Sequence, residues 1–304
     1  IFTSCSVPDK NFRLANIDAV ANAEVVALVS HGRDIGAGQI RLVWLNQNHG
    51  QAAAAKGLVR SNHVPDPDNV AGVILETYQG ATACFAPKEY IQRLRQWCTQ
   101  HDALLIFDEV ISGFRFRAGS LGVLHGIEPD LSTYGKVMGG GMPVAAVAGR
   151  AEVMALVGRG ASSKVKFSGG TYSAHPASLL AAQTLMRYFI NHEAEIYPRL
   201  AEMGQQMRAR IEQIFAEQGI LSKCTGYPND AIQGSSLALI HFPVRPDLEI
   251  DSPDVASDPA CCNMEARERV LKLALLIEDV YAVHGLGSLS TAHTDQDLDK
   301  LYAA

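Results

Sequence analysis

Two apolar runs without alternation organise the middle of the chain. Val70-Ala71-Gly72-Val73-Ile74-Leu75-Glu76 reads as a short buried strand that delivers Glu76, and then Gln79, at its C-terminal end. Residues 103–107 form the second run, apolar at every position, as expected of a strand covered on both faces of a parallel sheet. Between them Pro87 can open a helix at its first turn, with Tyr90, Leu94, Trp97 and Cys98 on one face at helical spacing. Strand, helix, strand predicts a crossover connection and an open α/β sheet. Ligands of such sheets sit beyond the carboxyl ends of the strands, where Glu76, Gln79 and Asp108 fall.

A further short strand is predicted over residues 144–148. Helical periodicity then runs from Pro176 to about Gln218, with Ala182, Leu185, Tyr188 and Phe189 in one stripe and Leu200, Met203 and Met207 opening another. Residues 236–242 predict a strand, 264–277 an apolar-periodic helix, and 243–262, rich in Pro, Asp and Ser, a loop. Thr294 with Asp297 three residues on predicts a capping box at the start of a last helix. The pattern divides the chain near residue 195 into a larger domain, 1–195, and a smaller C-terminal α+β domain, 196–304.

With 304 residues, 47% of them hydrophobic, the chain can bury a large core. Its net charge of −6 and the scattering of its 26 Lys and Arg leave no basic stripe for nucleic acid. No apolar run reaches the roughly 18–20 residues of a membrane span, so a membrane partner is not expected. The six cysteines show no CxxC spacing, which favours reduced thiols, a cytoplasmic location and no zinc site. The chain opens at Ile1, and its N-terminal part reads as incomplete.

The candidate chemistry lies between Ile106 and Arg150. Asp108 ends an apolar strand, and Lys136 follows Gly135 and precedes Gly139-Gly140-Gly141. A carboxylate that keeps a pyridine nitrogen protonated and an amine that bonds to an aldehyde are the two protein groups pyridoxal phosphate most requires. Val110 is spaced to lie flat on an aromatic ring held by Asp108, and Glu109 reads as structural. Each residue also has an ordinary reading alone: Lys136 a surface lysine in a glycine turn, Asp108 an acid capping a strand end. A phosphate-binding P-loop fails, because it needs Gly at Asp130 and Ser or Thr at Val137. Residues 167–176, which include Gly170, Thr171 and His175, could hold a phosphate oxygen at the helix beginning near Pro176, or be a plain Gly/Ser loop with a cap. His175 reads as a packing or supporting residue.

Taken in order, Asp108-Glu109-Val110, Gly113-Phe114-Arg115, Pro129-Asp130, Gly135-Lys136, Gly139 to Pro143, Gly149-Arg150 and the ending Ser290-Thr291-Ala292-His293-Thr294 resemble the class III (subgroup II) aminotransferases. Within them the likeness is to the glutamate-1-semialdehyde aminomutase branch. The resemblance implies the fold type I, aspartate aminotransferase-like architecture of pyridoxal phosphate transferases, with a mostly parallel central sheet. It implies a Schiff base on Lys136, Asp108 on the pyridine nitrogen, Val110 on the ring and Gln79 near the phenolic oxygen. Gly170 and Thr171 would bind the phosphate across a homodimer interface. The implied activity is amino-group transfer from an amine or amino acid donor to an oxo acid, aldehyde or ketone. Aminomutase, racemase or lyase chemistry on the same fold remains open, as does a cofactor-poor, non-catalytic homologue. Departures from the family pattern are Thr77 in place of proline, Asn48 where an aromatic residue stacks on the cofactor, no glycine or hydroxyl in residues 15–21 for an early phosphate loop, and Gly285 where aminomutases carry an acid.

Overall fold

The computed structural model describes residues 41–45, 70–80, 82–157, 173–229, 232, 234–282 and 287–304, the first five by backbone alone. Strands β1 (Arg41–Leu45), β2 (Val70–Leu75), β5 (Leu104–Glu109), β6 (Leu131–Tyr134) and β7 (Ala146–Gly149) form the main sheet in that order. The first four are mutually parallel and β7 runs antiparallel to β6. Two-residue strands β3 (Tyr78–Gln79) and β4 (Cys84–Phe85) pair as a small ribbon beside the end of β2. The expected strand at 103–107 begins one residue later and reaches Glu109, because Asp108 and Glu109 pair with Thr133 and Tyr134 of β6.

Helix α1 (Lys88–Gln100) closes the β2–β5 crossover. Pro87 precedes the helix as its N-cap, and Ile91 joins Leu94, Trp97 and Cys98 on the buried face, with Tyr90 at its margin. That face packs on Val73, Leu75, Leu105 and Phe107. Leu105 and Phe107 are completely buried, worth about 1.5–3 kcal/mol each. The apolar run that marked the strand is thus the floor of the first core.

At the opposite end of the sheet from Lys136, Asp130 staples three elements. Its Oδ2 accepts the Leu105 amide at 2.7 Å and Arg95 Nη1 at 2.7 Å, and Oδ1 accepts Arg150 Nη1 at 2.8 Å. Burial pushes the Asp130 carboxyl up, but the Leu105 amide and the two guanidiniums outweigh it and hold the group below the usual carboxylate range. The short helix α2 (Gly122–His125) precedes β6, and α3 (Ala151–Met154) follows β7.

The predicted helical stretch is two helices, α4 (Pro176–Asn191) and α5 (Glu193–Glu217). The stripe expected on α4 is only partly buried: Ala182 is inside with Ser178, whereas Tyr188 is 51% exposed. The second core gathers Met207 and Ile211 of α5 with Cys224, Ile240, Leu271, Leu275, Leu289 and Leu298. The strand expected at 236–242 shortens to β9 (Leu239–His241), paired with β8 (Lys223–Thr225). The expected loop 243–262 contains one short helix, α6 (Pro253–Ser257), capped by Ser252. The helix expected at 264–277 starts as a π-helical stretch, Ala266–Leu271, before α7 (Lys272–Ile277). The capping box of Thr294 and Asp297 opens α8 (Asp295–Ala303) as its spacing predicts.

Candidate active site

The site lies where β2, β5 and β6 end. Asp108, the penultimate residue of β5, is half-buried, and its Oδ1 accepts both the Val110 amide and the Thr133 hydroxyl, each at 3.1 Å. Oδ2 has no hydrogen-bond partner among the described residues. One oxygen is fixed by two donors, and the other is presented for a further donor such as a ring N–H. Thr133 had no role in the sequence reading; the signal that finds it is its register opposite Asp108 on the neighbouring parallel strand.

Lys136 stands two residues beyond the end of β6. Gly135 is extended, and Lys136 turns to φ +48° as the first residue of a 3₁₀ turn, Lys136–Gly139. A left-handed conformation at a residue with a Cβ costs about 1–2 kcal/mol, and here it throws an exposed amine off the strand end. The turn is anchored at Gly140, at φ +60°, where a Cβ would press to 3.2 Å of the Ala181 carbonyl oxygen of α4. Val110 reaches the same place from β5: a Cβ on Gly135 would meet Val110 Cγ1 at 3.5 Å. Val110 therefore walls the backbone from which Lys136 departs.

Glu76, directly after β2, connects the two. It accepts the Gly80 amide on Oε2 at 3.0 Å, and its carboxyl is raised above the ordinary carboxylate range. Burial is the main cause; the Gly80 hydrogen bond opposes it, the negative charge of Asp108 adds to it, and the positive charge of Lys136 opposes it. Asp108 and Lys136 thus act on one carboxyl, at the carboxyl ends of the parallel strands. Gln79 is buried in β3 and accepts the Thr82 hydroxyl, and the adjoining Gly80 lies hard against Ile111, where a Cβ would fall 2.3 Å from Cδ1. Turn 76–80 is in this way pinned to the loop that carries Val110.

Glu109 is structural, as expected. It is fully buried and binds the Ser120 hydroxyl and the Leu121 amide, the latter at 2.7 Å. His175 is the N-cap of α4, its Nδ1 facing the Ser178 amide at 3.4 Å and hydroxyl at 3.1 Å. Arg115 links the site to the C-terminal part, donating from Nε to the Ile111 carbonyl at 2.7 Å and from Nη1 to Ser288 Oγ at 3.2 Å. Gly170, Thr171, Asn48, residues 15–21 and Gly285 lie outside the described residues.

A family model described as aminotransferase class III matches residues 40–226. The chain belongs to the class III aminotransferases. A glutamate-1-semialdehyde 2,1-aminomutase of Methanoculleus marisnigri is 42% identical to it, over 78% of this chain and 52% of that protein. Among solved structures, an omega-transaminase from Sphaerobacter thermophilus aligns with a TM-score of 0.63 at 30% identity, covering 78% of this chain and 51% of that one. A beta-phenylalanine aminotransferase from Variovorax paradoxus aligns with the same score at 31% identity, covering 83% and 54%. The architecture is accordingly that of the fold type I pyridoxal phosphate transferases, with the mostly parallel sheet that the apolar runs predicted. This class III chain spans about half the length of the relatives it matches.

Proposed function

We propose that this chain carries the catalytic lysine and ring-binding carboxylate of a pyridoxal 5'-phosphate-dependent aminotransferase, which passes an amino group from an amine or amino acid donor to an oxo acid, aldehyde or ketone. The observation that carries this reading is the convergence of Asp108 and Lys136 on Glu76 at the carboxyl ends of three adjacent strands. The described residues fit the pyridine half of the cofactor. Asp108 offers a fixed Oδ1 and an open Oδ2 for a ring N–H, Val110 a flat aliphatic wall and Gln79 a neighbouring amide; Lys136 supplies an exposed amine.

When bound, the cofactor supplies an aldehyde for covalent attachment and an electron sink for the bond cleaved at the substrate carbon. Asp108, its Oδ1 fixed by the Val110 amide and the Thr133 hydroxyl, would hold the ring nitrogen through its other oxygen. Lys136 would supply the amine that holds the cofactor's aldehyde and, when free of it, would carry the proton at the substrate carbon as general base and acid. By the class III resemblance, Gly170 and Thr171 would bind the phosphate across a dimer interface, with the homodimer as the working unit. The exposed apolar side chains of Leu180 and Tyr188 on α4, 64% and 51% accessible, support a second copy packing there. Buried, free thiols at Cys84, Cys98, Cys224 and Cys262 suit a cytoplasmic enzyme. No helix among the described residues is long and apolar enough to cross a membrane. The division near residue 195 falls within α5, which bridges two clusters: Ile196 and Tyr197 pack with Ala118, Met207 and Ile211 with the second core.

A second reading, an aminomutase that moves the amino group within one substrate, is favoured by the names of the curated relatives. One experiment tests both: purified protein loaded with pyridoxal phosphate is mixed with single amine donors while the cofactor's absorbance is followed, then with carbonyl acceptors. Transfer needing both partners supports the aminotransferase. Turnover of glutamate-1-semialdehyde without an acceptor supports the aminomutase, and a cofactor spectrum indifferent to every amine refutes both.

A further inference from the structure

Glu76 is the titratable group of this site to which the class III resemblance gave no role. Because Leu75 pairs with Phe107 in parallel register, the next position places Glu76 beside Asp108, and Asp108 in turn pairs with Thr133. Two carboxylates and a hydroxyl thus form a row across the ends of three strands. Asp108 spends one oxygen on donors from its own side of that row, Val110 and Thr133. Glu76 spends its Oε2 on the Gly80 amide, on the other side. The charged groups bearing on Glu76 are Asp108 of β5 and Lys136 of the turn after β6.

The Gly80 hydrogen bond has a mechanical consequence. Gly80 carries no side chain where Ile111 presses on it, and Ile111 adjoins Val110, whose methyl groups reach Gly135. The position of turn 76–80 is therefore transmitted by direct packing to the wall beside Lys136. Gln79, next to the anchored amide, moves with the same turn.

We propose that Glu76 is a positioning residue with two separable duties: one oxygen anchors the Gly80 turn that sets Gln79 and the Val110 wall, while the carboxylate charge favours the protonated form of the nitrogen on Lys136 when the cofactor is attached. This rests on the pyridoxal phosphate reading above. Removing the charge alone shifts a proton equilibrium without loosening the turn, since the amide oxygen of Gln can still accept from Gly80. Removing the whole group loosens the turn as well.

The test compares the parent chain, Glu76→Gln and Glu76→Ala after reconstitution with pyridoxal phosphate. The readouts are the cofactor dissociation constant and the pH midpoint of the cofactor's visible absorbance band. E76Q is expected to bind cofactor within about threefold of the parent and to lower the midpoint by about half a pH unit or more, whereas E76A weakens binding about tenfold or more. An E76Q midpoint indistinguishable from the parent's, or E76Q binding as weak as that of E76A, overturns the proposal. A parent that shows no cofactor band overturns the functional reading itself, and this inference with it, before any variant is compared.

Discussion

Glu109, one residue beyond Asp108, offers a prediction that isolates a single buried proton. It is fully buried, and burial pushes its carboxyl up to about 7 despite the Ser120 hydroxyl, the Leu121 and Gly122 amides and the charge of Arg117, all of which favour ionisation. In the unfolded chain the same group titrates near its ordinary value of 4.5. Between those two pH values the folded state holds a proton that the unfolded state has released, so folding stability falls as pH rises, and it levels off above about 7. Weighted by the fractions ionised, the loss between pH 5 and pH 8 is about 2.5 kcal/mol. Glu109→Gln cannot titrate. Its amide also faces the Leu121 N–H with one acceptor too few, so at pH 5 it should be about 1–3 kcal/mol less stable than the parent. By pH 8 that deficit should have shrunk by about 2.5 kcal/mol, or reversed. Urea unfolding of both proteins at the two pH values gives the difference directly, with every other titrating group cancelling. A gap that stays constant to within about 0.5 kcal/mol would refute the argument that burial outweighs the hydrogen bonds at this carboxyl.

Two further substitutions probe the frame. Asp130→Ala strips the acceptor from the Leu105 amide and from Arg95 and Arg150; both arginines can turn toward water, so the loss should be about 3 kcal/mol by urea unfolding. Because the Asp130 carboxyl is held low, the parent keeps this contribution above the ordinary carboxylate range and loses it as pH falls through the depressed value, while the variant shows no such acid-side loss. Thr294→Ala removes half of the capping box of α8 and should cost about 1 kcal/mol in thermal unfolding, with cofactor binding unchanged; an unaltered melting temperature would show that the cap is idle.

The parallel frame was legible because both faces of β2 and β5 are covered, which leaves unbroken apolar runs, and α1 because its buried face repeats at helical spacing. Asp108 and Lys136 stood out through their neighbours: a carboxylate at a strand end, and an amine before glycines that let α4 approach the turn. Other features depend on what the strands meet. The apolar run placed Glu76 at the ligand end of its strand, but its place beside Asp108, like that of Thr133, comes from lateral register, which no local pattern encodes. The left-handed turn at Lys136 is invisible because the residue itself is not glycine. Tyr188 fits a helical stripe yet stands exposed, since periodicity reports an apolar face and not what covers it. The short strand β9 and the π-helical start at Ala266 likewise answer to tertiary packing.

The central claim is that the Lys136 amine and the Asp108 carboxylate face one pyridoxal ring. Reducing the cofactor-loaded protein with borohydride and mapping the labelled peptide tests it most directly. The account predicts stable label on Lys136, none in Lys136→Ala, and a displaced absorbance band in Asp108→Asn. Label on a different lysine, or a visible band indifferent to both substitutions, would contradict it.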